Sequence, residues 1–291
     1  MKLDKMIAKG NAAEVYQIEE DKILKLFFAA VPVQEAEREY KTARLAYEAG
    51  IPTAQVYGDL LDIDGRKGIV YEYIKGTVLN DVFLDAVRSN NTAAAEECIR
   101  KHCQIMKKCH TIKMDRTHFP SARAMLDDRL ETSYRNNVFT TEEHGRILTF
   151  LDSLPDSSTF IHGDFNLANV IETQNGIRLI DMGDCAVGDP LYDIVSEGSA
   201  VLEVHNVLPI PNIEQIAKER TKMEFSAALF LWDGLKKYYY SDLSENEREN
   251  VYRRIHSLAA VRFMLGLLKA DQMPTEDVNT VKFLFFPEIR L

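Results

Sequence analysis

The stretch Phe160-Ile161-His162-Gly163-Asp164-Phe165-Asn166-Leu167-Ala168-Asn169-Val170 places a carboxylate, Asp164, five residues before an amide, Asn169, mostly in loop sequence. Further on, an apolar strand at 177–180 runs into Asp181, with Asp184 just behind it. Two strands joined by Gln174-Asn175-Gly176 set Asn169, at the start of one, beside Asp181, at the end of the other. Both can then offer oxygens to one hard cation, and Mg²⁺ favours such sites when substrate phosphates supply the rest of its shell. Asp164, next to that cation, is free to orient a hydroxyl nucleophile. These residue types in this order imply phosphoryl transfer, in which positioning and charge neutralisation supply most of the catalysis.

Such residues need a frame, and the hydrophobic pattern supplies one. Up to about residue 75 the sequence reads as strands around one helix. Strands at 6–9 and 15–18 flank Gly10-Asn11-Ala12-Ala13, a short apolar strand follows at 23–28, and 33–48 is a charged, amphipathic helix ended by Gly50. Strands at 55–63 and 68–74 are joined by Asp64-Gly65, a strong hairpin signal. Beyond Gly76 the chain turns helical, with helices at 91–109 and around 122–136. Short strands follow at 160–161, 168–172 and 177–181, and after Pro190 nearly everything reads as helix, at 191–203, 213–240 and 245–269. The expected fold class is α+β, a small β-rich lobe followed by a larger helical one.

H-G-D-x-x-x-x-N from His162, I-D-x-G-D from Ile180, and G-D-P-x-x-D from Gly188 resemble the aminoglycoside phosphotransferase and choline kinase superfamily. These are small-molecule kinases with a two-lobed, protein-kinase-like fold. The resemblance extends upstream, so that it covers roughly residues 6 to 195. Lys25 resembles the strand lysine that holds the α- and β-phosphates, and Glu39 the helix glutamate that pairs with it. Val70-Tyr71-Glu72-Tyr73-Ile74 looks like the hinge strand that receives the adenine, which makes Glu72 and Ile74 nucleotide-binding candidates along with Gly10 of the phosphate loop. By the same resemblance Asp164 is the catalytic aspartate and Asn169 and Asp181 are the Mg²⁺ ligands. His162, Asp184 and Asp189 support them, and the cofactors are ATP (or GTP) and Mg²⁺. Residues 1–75 become a nucleotide-binding lobe and 76–291 a catalytic and acceptor-binding lobe. The chain departs from the protein-kinase pattern at Ala12 and Ala13, where glycines would stand, at Met182, where an aromatic is frequent, and in lacking an activation loop between Asp181 and Pro190.

Several other residues have plainer readings. His162 orients its loop by hydrogen bonds, and Asp189 and Asp193 cap the helix after Pro190 and brace the loop. Cys98, His102, Met106 and Cys109 share one helix face and read as core, as does the aromatic set Trp232, Tyr238, Tyr239 and Tyr240, while Cys109-His110 resembles the leucine-histidine pair that ends the corresponding helix in that superfamily and reads as structural.

Composition bounds the function. In 291 residues the formal net charge is −10, with 46% hydrophobic residues, so a disordered chain and a phosphate-backbone binder are both excluded as expectations. Residues 161–197 hold seven acids (Asp164, Glu172, Asp181, Asp184, Asp189, Asp193, Glu197) against Arg178 alone, which favours a cationic, amine-bearing acceptor. The run at 227–232 is too short for a membrane span, the first ten residues have no signal-peptide h-region, and four cysteines fit a reducing compartment. The expected protein is cytoplasmic and binds a nucleotide and a small-molecule acceptor, with no nucleic-acid or membrane partner. Two other classes stay open at this point: a nucleotide-binding pseudo-kinase or regulatory module, suggested by the degenerate Gly10 loop, and a metallohydrolase built from His162, Asp164, Asp181 and Asp184.

Overall fold

A computed structural model describes residues 5–206, 212–268 and 275–290. In chain order the elements are β1 (Lys5–Lys9), β2 (Ala13–Gln17), β3 (Lys22–Phe27), α1 (Val33–Glu48), β4 (Val56–Ile63), β5 (Arg66–Glu72), β6 (Thr77–Val78), α2 (Leu79–Arg88), α3 (Thr92–Cys109), α4 (Ala122–Arg135) and α5 (Thr141–Asp152). There follow β7 (Thr159–Ile161), β8 (Val170–Thr173), β9 (Gly176–Leu179), β10 (Ala186–Gly188), α6 (Leu191–Ile194), α7 (Glu197–Val204), α8 (Ile213–Thr221), α9 (Phe225–Tyr239), α10 (Glu245–Leu267) and α11 (Thr275–Phe285). The chain divides into two compact units, Met1–Asp85 with Asn166–Cys185, and Ala86–Phe165 with Ala186–Leu291. The first is rich in strands and the second mostly helical, so the fold class is α+β.

The first unit is built on an antiparallel sheet of order β1-β2-β3-β5-β4. β4 and β5 meet Ile63 to Arg66 across a two-residue turn, with Asp64 at φ 51° and Gly65 at φ 76°. This is the left-handed pair that an Asp-Gly hairpin requires, because it matches the twist of the flanking strands. α1 turns Ala36, Glu39, Thr42, Ala43 and Ala46 inward. Its small residues allow close packing, and Thr42 Oγ1 donates to the Met182 carbonyl at 2.9 Å. β8 and β9 form a hairpin with β6 alongside. Gly76 is obligatory at its entry, since a Cβ there would stand 2.3 Å from the Glu172 carbonyl oxygen.

In the second unit α3 packs on α9 and α7 on α10, around a core that includes Phe83's helix-mate Ala86, Ile99, Leu130, Phe150, Phe160, Phe263 and Phe285. β7 pairs with β10. Asn91 caps α3 by accepting the Ala94 N–H at 3.1 Å, while α5 and α10 each begin with a full capping box, Thr140 with Glu143 and Ser244 with Glu247.

Three helix expectations are corrected. The helix at 191–203 is two helices, because Ser196 interrupts it and caps α7 by accepting the Ser199 N–H. The helix at 213–240 breaks after Thr221, where Lys222 adopts a left-handed conformation at φ 58°. The helix begun at Glu245 ends at Leu267, and Lys269 lies outside the described residues. Among the described residues no helix is long and apolar enough to cross a membrane.

Candidate active site

The residues singled out by chemistry fall in both units, and each group is described within its own. In the first unit Lys25 lies in the middle of β3, and Glu39 sits on the buried face of α1. Lys25 Nζ contacts Glu39 Oε1 at 2.7 Å and Oε2 at 2.8 Å, and Asp181 Oδ1 at 2.8 Å. Glu39 is 4% exposed, and the buried Tyr71 hydroxyl donates to its Oε1 at 2.9 Å. Burial alone would lower the Lys25 pKa, but the Glu39 and Asp181 carboxylates outweigh it and hold the ammonium above its usual value. Lys25 is therefore a fixed cation.

Asn169 and Asp181 come together because of strand register. Val170 pairs with Leu179 at the open end of the β8–β9 hairpin, and the next rung is closed by the Ile180 N–H donating to the Asn169 carbonyl at 3.0 Å. Asp181 is the residue beyond that rung. Its backbone is left-handed, at φ 65°, a conformation Asp tolerates better than most residues, and half of its side chain is exposed. Asn169 is 8% exposed. An amide oxygen beside a carboxylate suits a hard divalent cation that completes its shell with phosphate oxygens and water. Asp184 pairs with Arg38 at 3.3 Å in an exposed position, where an ion pair adds little stability. A Cβ at Gly183, between Asp181 and Asp184, would stand 3.1 Å from Glu39 Oε2, so the turn is seated closely on the glutamate.

The hinge candidates divide. The Glu72 carboxylate is taken by Arg178, with Nη2 to Oε2 at 2.7 Å and Nη1 to Oε1 at 3.2 Å, and it also accepts the Gln55 N–H. Burial raises its pKa, but the Arg178 hydrogen bonds more than offset that and leave it below the usual carboxylate range. Its side chain is thus a strut tying β5 to β9, and the Glu72 and Tyr73 N–H groups are likewise engaged, by the Gln55 carbonyl at 2.8 Å and the Asp21 carbonyl at 2.7 Å. Ile74 is buried. Gly10 closes the β1–β2 turn, its N–H donating to the Ala13 carbonyl at 2.9 Å. A Cβ there would approach nothing closer than that oxygen at 3.8 Å, so this loop conformation does not demand glycine.

In the second unit the loop after β7 carries His162, Gly163 and Asp164. Gly163 has φ 84°, a conformation in which glycine alone is unstrained. His162 is wholly buried, and its Nδ1 accepts the Asp164 N–H at 3.4 Å. Of the two roles expected of Asp193, the helix cap is corrected, since its side chain makes no cap bond to the helix after Pro190, while the bracing of this loop is what the structure shows. Asp193 is 3% exposed, accepts the His162 N–H at 2.8 Å and the Gly163 N–H at 2.7 Å, and lies 3.0 Å from His110 Nε2. Burial pushes its carboxyl up, but the hydrogen bond to His110 and the other donors outweigh that and keep it below the usual range. Asp189 Oδ1 does accept the Leu191 N–H at 2.9 Å, as a cap would, and burial raises its pKa.

Cys98, His102, Met106 and Cys109 are all core. Burial pushes the Cys109 thiol up to about 12 and pulls His102 down to about 4, with the Phe165 backbone opposing only part of the latter shift. His102 is therefore neutral, and among the described residues neither of its ring nitrogens makes a well-formed hydrogen bond. Nor do any three His, Cys, Asp or Glu residues among those described come together as a metal set, which the metallohydrolase alternative needs.

Sequence reasoning missed Tyr71, Arg178 and the role of His110. Strand alternation held the signal for Tyr71: Lys25 pairs with Ile69, and Tyr71, two residues on, shares that face. Arg178 and His110 gave no local signal, since their partners are 106 and 83 residues away.

A lysine of β3 paired with a glutamate of α1, and a His-Gly-Asp loop before a β-hairpin, are features of a protein-kinase-like fold. The sequence model of the phosphotransferase enzyme family matches residues 5–197, and the chain belongs to that family, whose acceptors are alcohol groups. No curated protein matches the sequence. Among solved structures, ADP-bound aminoglycoside phosphotransferase APH(2'')-Ib is similar at a TM-score of 0.61 and 14% identity, covering 100% of this chain and 96% of that one. The streptomycin–ATP complex of APH(2")-IIa is similar at a TM-score of 0.58 and 14% identity, covering 99% and 93%. A choline/ethanolamine kinase family protein from Mesorhizobium loti reaches a TM-score of 0.54 at 15% identity, covering 99% and 88%. At these identities the likeness is one of fold.

Proposed function

We propose that the chain transfers the terminal phosphoryl group of ATP or GTP, with Mg²⁺, to a hydroxyl of a small amine-bearing molecule. The observation that carries this reading is the Lys25–Glu39 pair closed onto Asp181, because a fixed cation beside a half-exposed carboxylate suits nucleotide phosphates and their counter-ion. The Lys25 ammonium steadies the α- and β-phosphates, while Glu39, held by Tyr71, keeps Lys25 in place. Since the Glu72 and Tyr73 N–H groups are engaged elsewhere, the main chain at Ile74 meets the base. Asn169 and Asp181 would hold Mg²⁺, which neutralises phosphate charge when bound. Asp164, on the loop anchored by Asp193, orients the acceptor hydroxyl and takes its proton. The hydroxyl oxygen bonds to the γ-phosphorus as the bond to the β–γ bridging oxygen breaks, and the nucleoside diphosphate leaves.

The acceptor class rests on the acids of 161–197. Lys25 engages Asp181 and Arg38 engages Asp184, which reduces the negative charge of that segment without reversing it. The four cysteines are all buried, in keeping with a cytoplasmic setting.

The test is phosphorylation by purified protein with labelled ATP and GTP across aminoglycosides, other antibiotics, choline-like amines, sugars and amino-alcohols. The expected result is Mg²⁺-dependent transfer to an amine-bearing alcohol, reduced about 10²–10⁴-fold in Asp164→Ala with nucleotide affinity nearly unchanged. Full transfer by Asp164→Ala overturns the mechanism, and transfer only to neutral or anionic acceptors overturns the substrate class. Nucleotide binding without turnover on every acceptor selects the pseudo-kinase alternative.

A further inference from the structure

We infer that Tyr239 is a positioning residue for the Asp164 loop, acting through His110 and Asp193; this rests on the role proposed for Asp164. The Tyr239 hydroxyl, at the end of α9, lies 2.6 Å from His110 Nδ1, just past the end of α3. The other ring nitrogen, Nε2, faces Asp193 Oδ2 at 3.0 Å. Asp193 in turn holds the N–H groups of His162 and Gly163, the two residues before Asp164. Three segments far apart in sequence thus meet in one phenol–imidazole–carboxylate line that ends on the loop backbone.

The relay assigns a direction to each bond. A carboxylate only accepts, so His110 Nε2 carries the proton it shares with Asp193. Burial pushes the Tyr239 phenol well above its usual value, so it keeps a proton that it can donate to Nδ1, and this is the direction the relay takes. The phenol therefore selects the neutral imidazole tautomer that holds Asp193. Without the hydroxyl, Nδ1 becomes a buried acceptor with no donor, a cost the ring relieves by rotating or by taking up a proton. Either response changes its bond to Asp193. A second contact carries the same movement to the loop, since the Phe165 ring, next to Asp164, packs on the rings of His102, His110 and His162 at 5.5, 6.2 and 5.1 Å. Tyr239 itself is held by the Tyr240 ring at 4.8 Å, so Tyr239→Phe removes one oxygen and leaves the ring seated.

The test compares the full chain, Tyr239→Phe and, as a neighbouring control, Tyr240→Phe by ¹⁵N–¹H NMR with labelled histidine and glycine. We expect the wild-type His110 ring to be neutral and protonated on Nε2. Tyr239→Phe shifts both ring nitrogens and the amide resonances of His162 and Gly163, whereas Tyr240→Phe leaves those amides in place. In the phosphorylation assay Tyr239→Phe lowers kcat about tenfold with KM for nucleotide within about twofold. Unmoved His162 and Gly163 amides in Tyr239→Phe overturn the inference, as does an unchanged kcat beside shifted amides. The wild-type spectrum also decides by itself, because a proton on His110 Nδ1 at neutral pH overturns the relay even if the variant does not fold. A wild type that transfers no phosphoryl group while Tyr239→Phe shows the amide shifts counts against the proposed reaction and for the relay.

Discussion

In the first unit Lys25 stands between Glu39 and Asp181, and half of the Asp181 side chain faces solvent. In the second unit Asp193 is wholly buried and faces two backbone N–H groups and an imidazole. The first arrangement pairs long, charged side chains, one of which can exchange partners when phosphates arrive. The second spends a carboxylate on fixing main chain, and none of its partners can leave without opening a loop. One is suited to receive a ligand and the other to hold a geometry, so the same residue type, aspartate, serves opposite ends.

That contrast can be broken most forcefully at Asp193. Asp193→Ala should strip two backbone donors and His110 of their acceptor, costing about 3–5 kcal/mol in denaturant unfolding along with most of the turnover. A loss below about 1 kcal/mol would mean that water replaces the carboxylate and that the loop is not held by burial.

Lys25→Met should cut phosphoryl transfer about 10²-fold while costing only about 2 kcal/mol of stability. The cost should depend on pH with a definite sign. Without Lys25, burial leaves the Glu39 pKa raised above its unfolded value, so the variant is closest to wild type at low pH and falls behind as pH rises through that raised pKa. Unfolding curves from about pH 5 to pH 8 check this, and a deficit that shrinks with rising pH would refute the pairing.

The smallest effect concerns His102, whose pKa is lowered to about 4. A base with a depressed folded pKa contributes stability above its unfolded value near 6.5, and that stability is lost as pH falls. Wild type should lose about 1 kcal/mol more than His102→Leu between neutral pH and about pH 5.5. Parallel pH profiles would show that the ring titrates normally and is not packed as the structure has it.

How much of this could be read beforehand depended on how local each signal was. Asp64-Gly65 and Gln174-Asn175-Gly176 announced their hairpins because turn chemistry is a property of two or three residues. The second hairpin then set Asn169 near Asp181 by register alone. Lys25 and Glu39 were legible only through resemblance, and the structure puts them in contact. Asp193 was read both as a cap and as a brace for the loop; only the brace holds, because its partners come from strand and helix ends 30 or more residues away. Glu72 was read for a nucleotide when its carboxylate belongs to Arg178, a pairing invisible until β5 and β9 are side by side. The helix breaks at Ser196 and Lys222 lay inside unbroken periodicity, where a cap residue was the one clue.

The hairpin of Asn166–Cys185 belongs to the same compact unit as residues up to Asp85, although 80 residues of the other unit are made between them. On the ribosome, at about 5–20 residues per second, the first unit waits about 5–20 seconds for its last strands. During that interval β6, entered through Gly76, has no β8 to pair with, and Glu39 and Lys25 are without Asp181. The nascent chain thus carries β6 unpaired for seconds, and the unit that holds Lys25 and Glu39 is completed late in its synthesis.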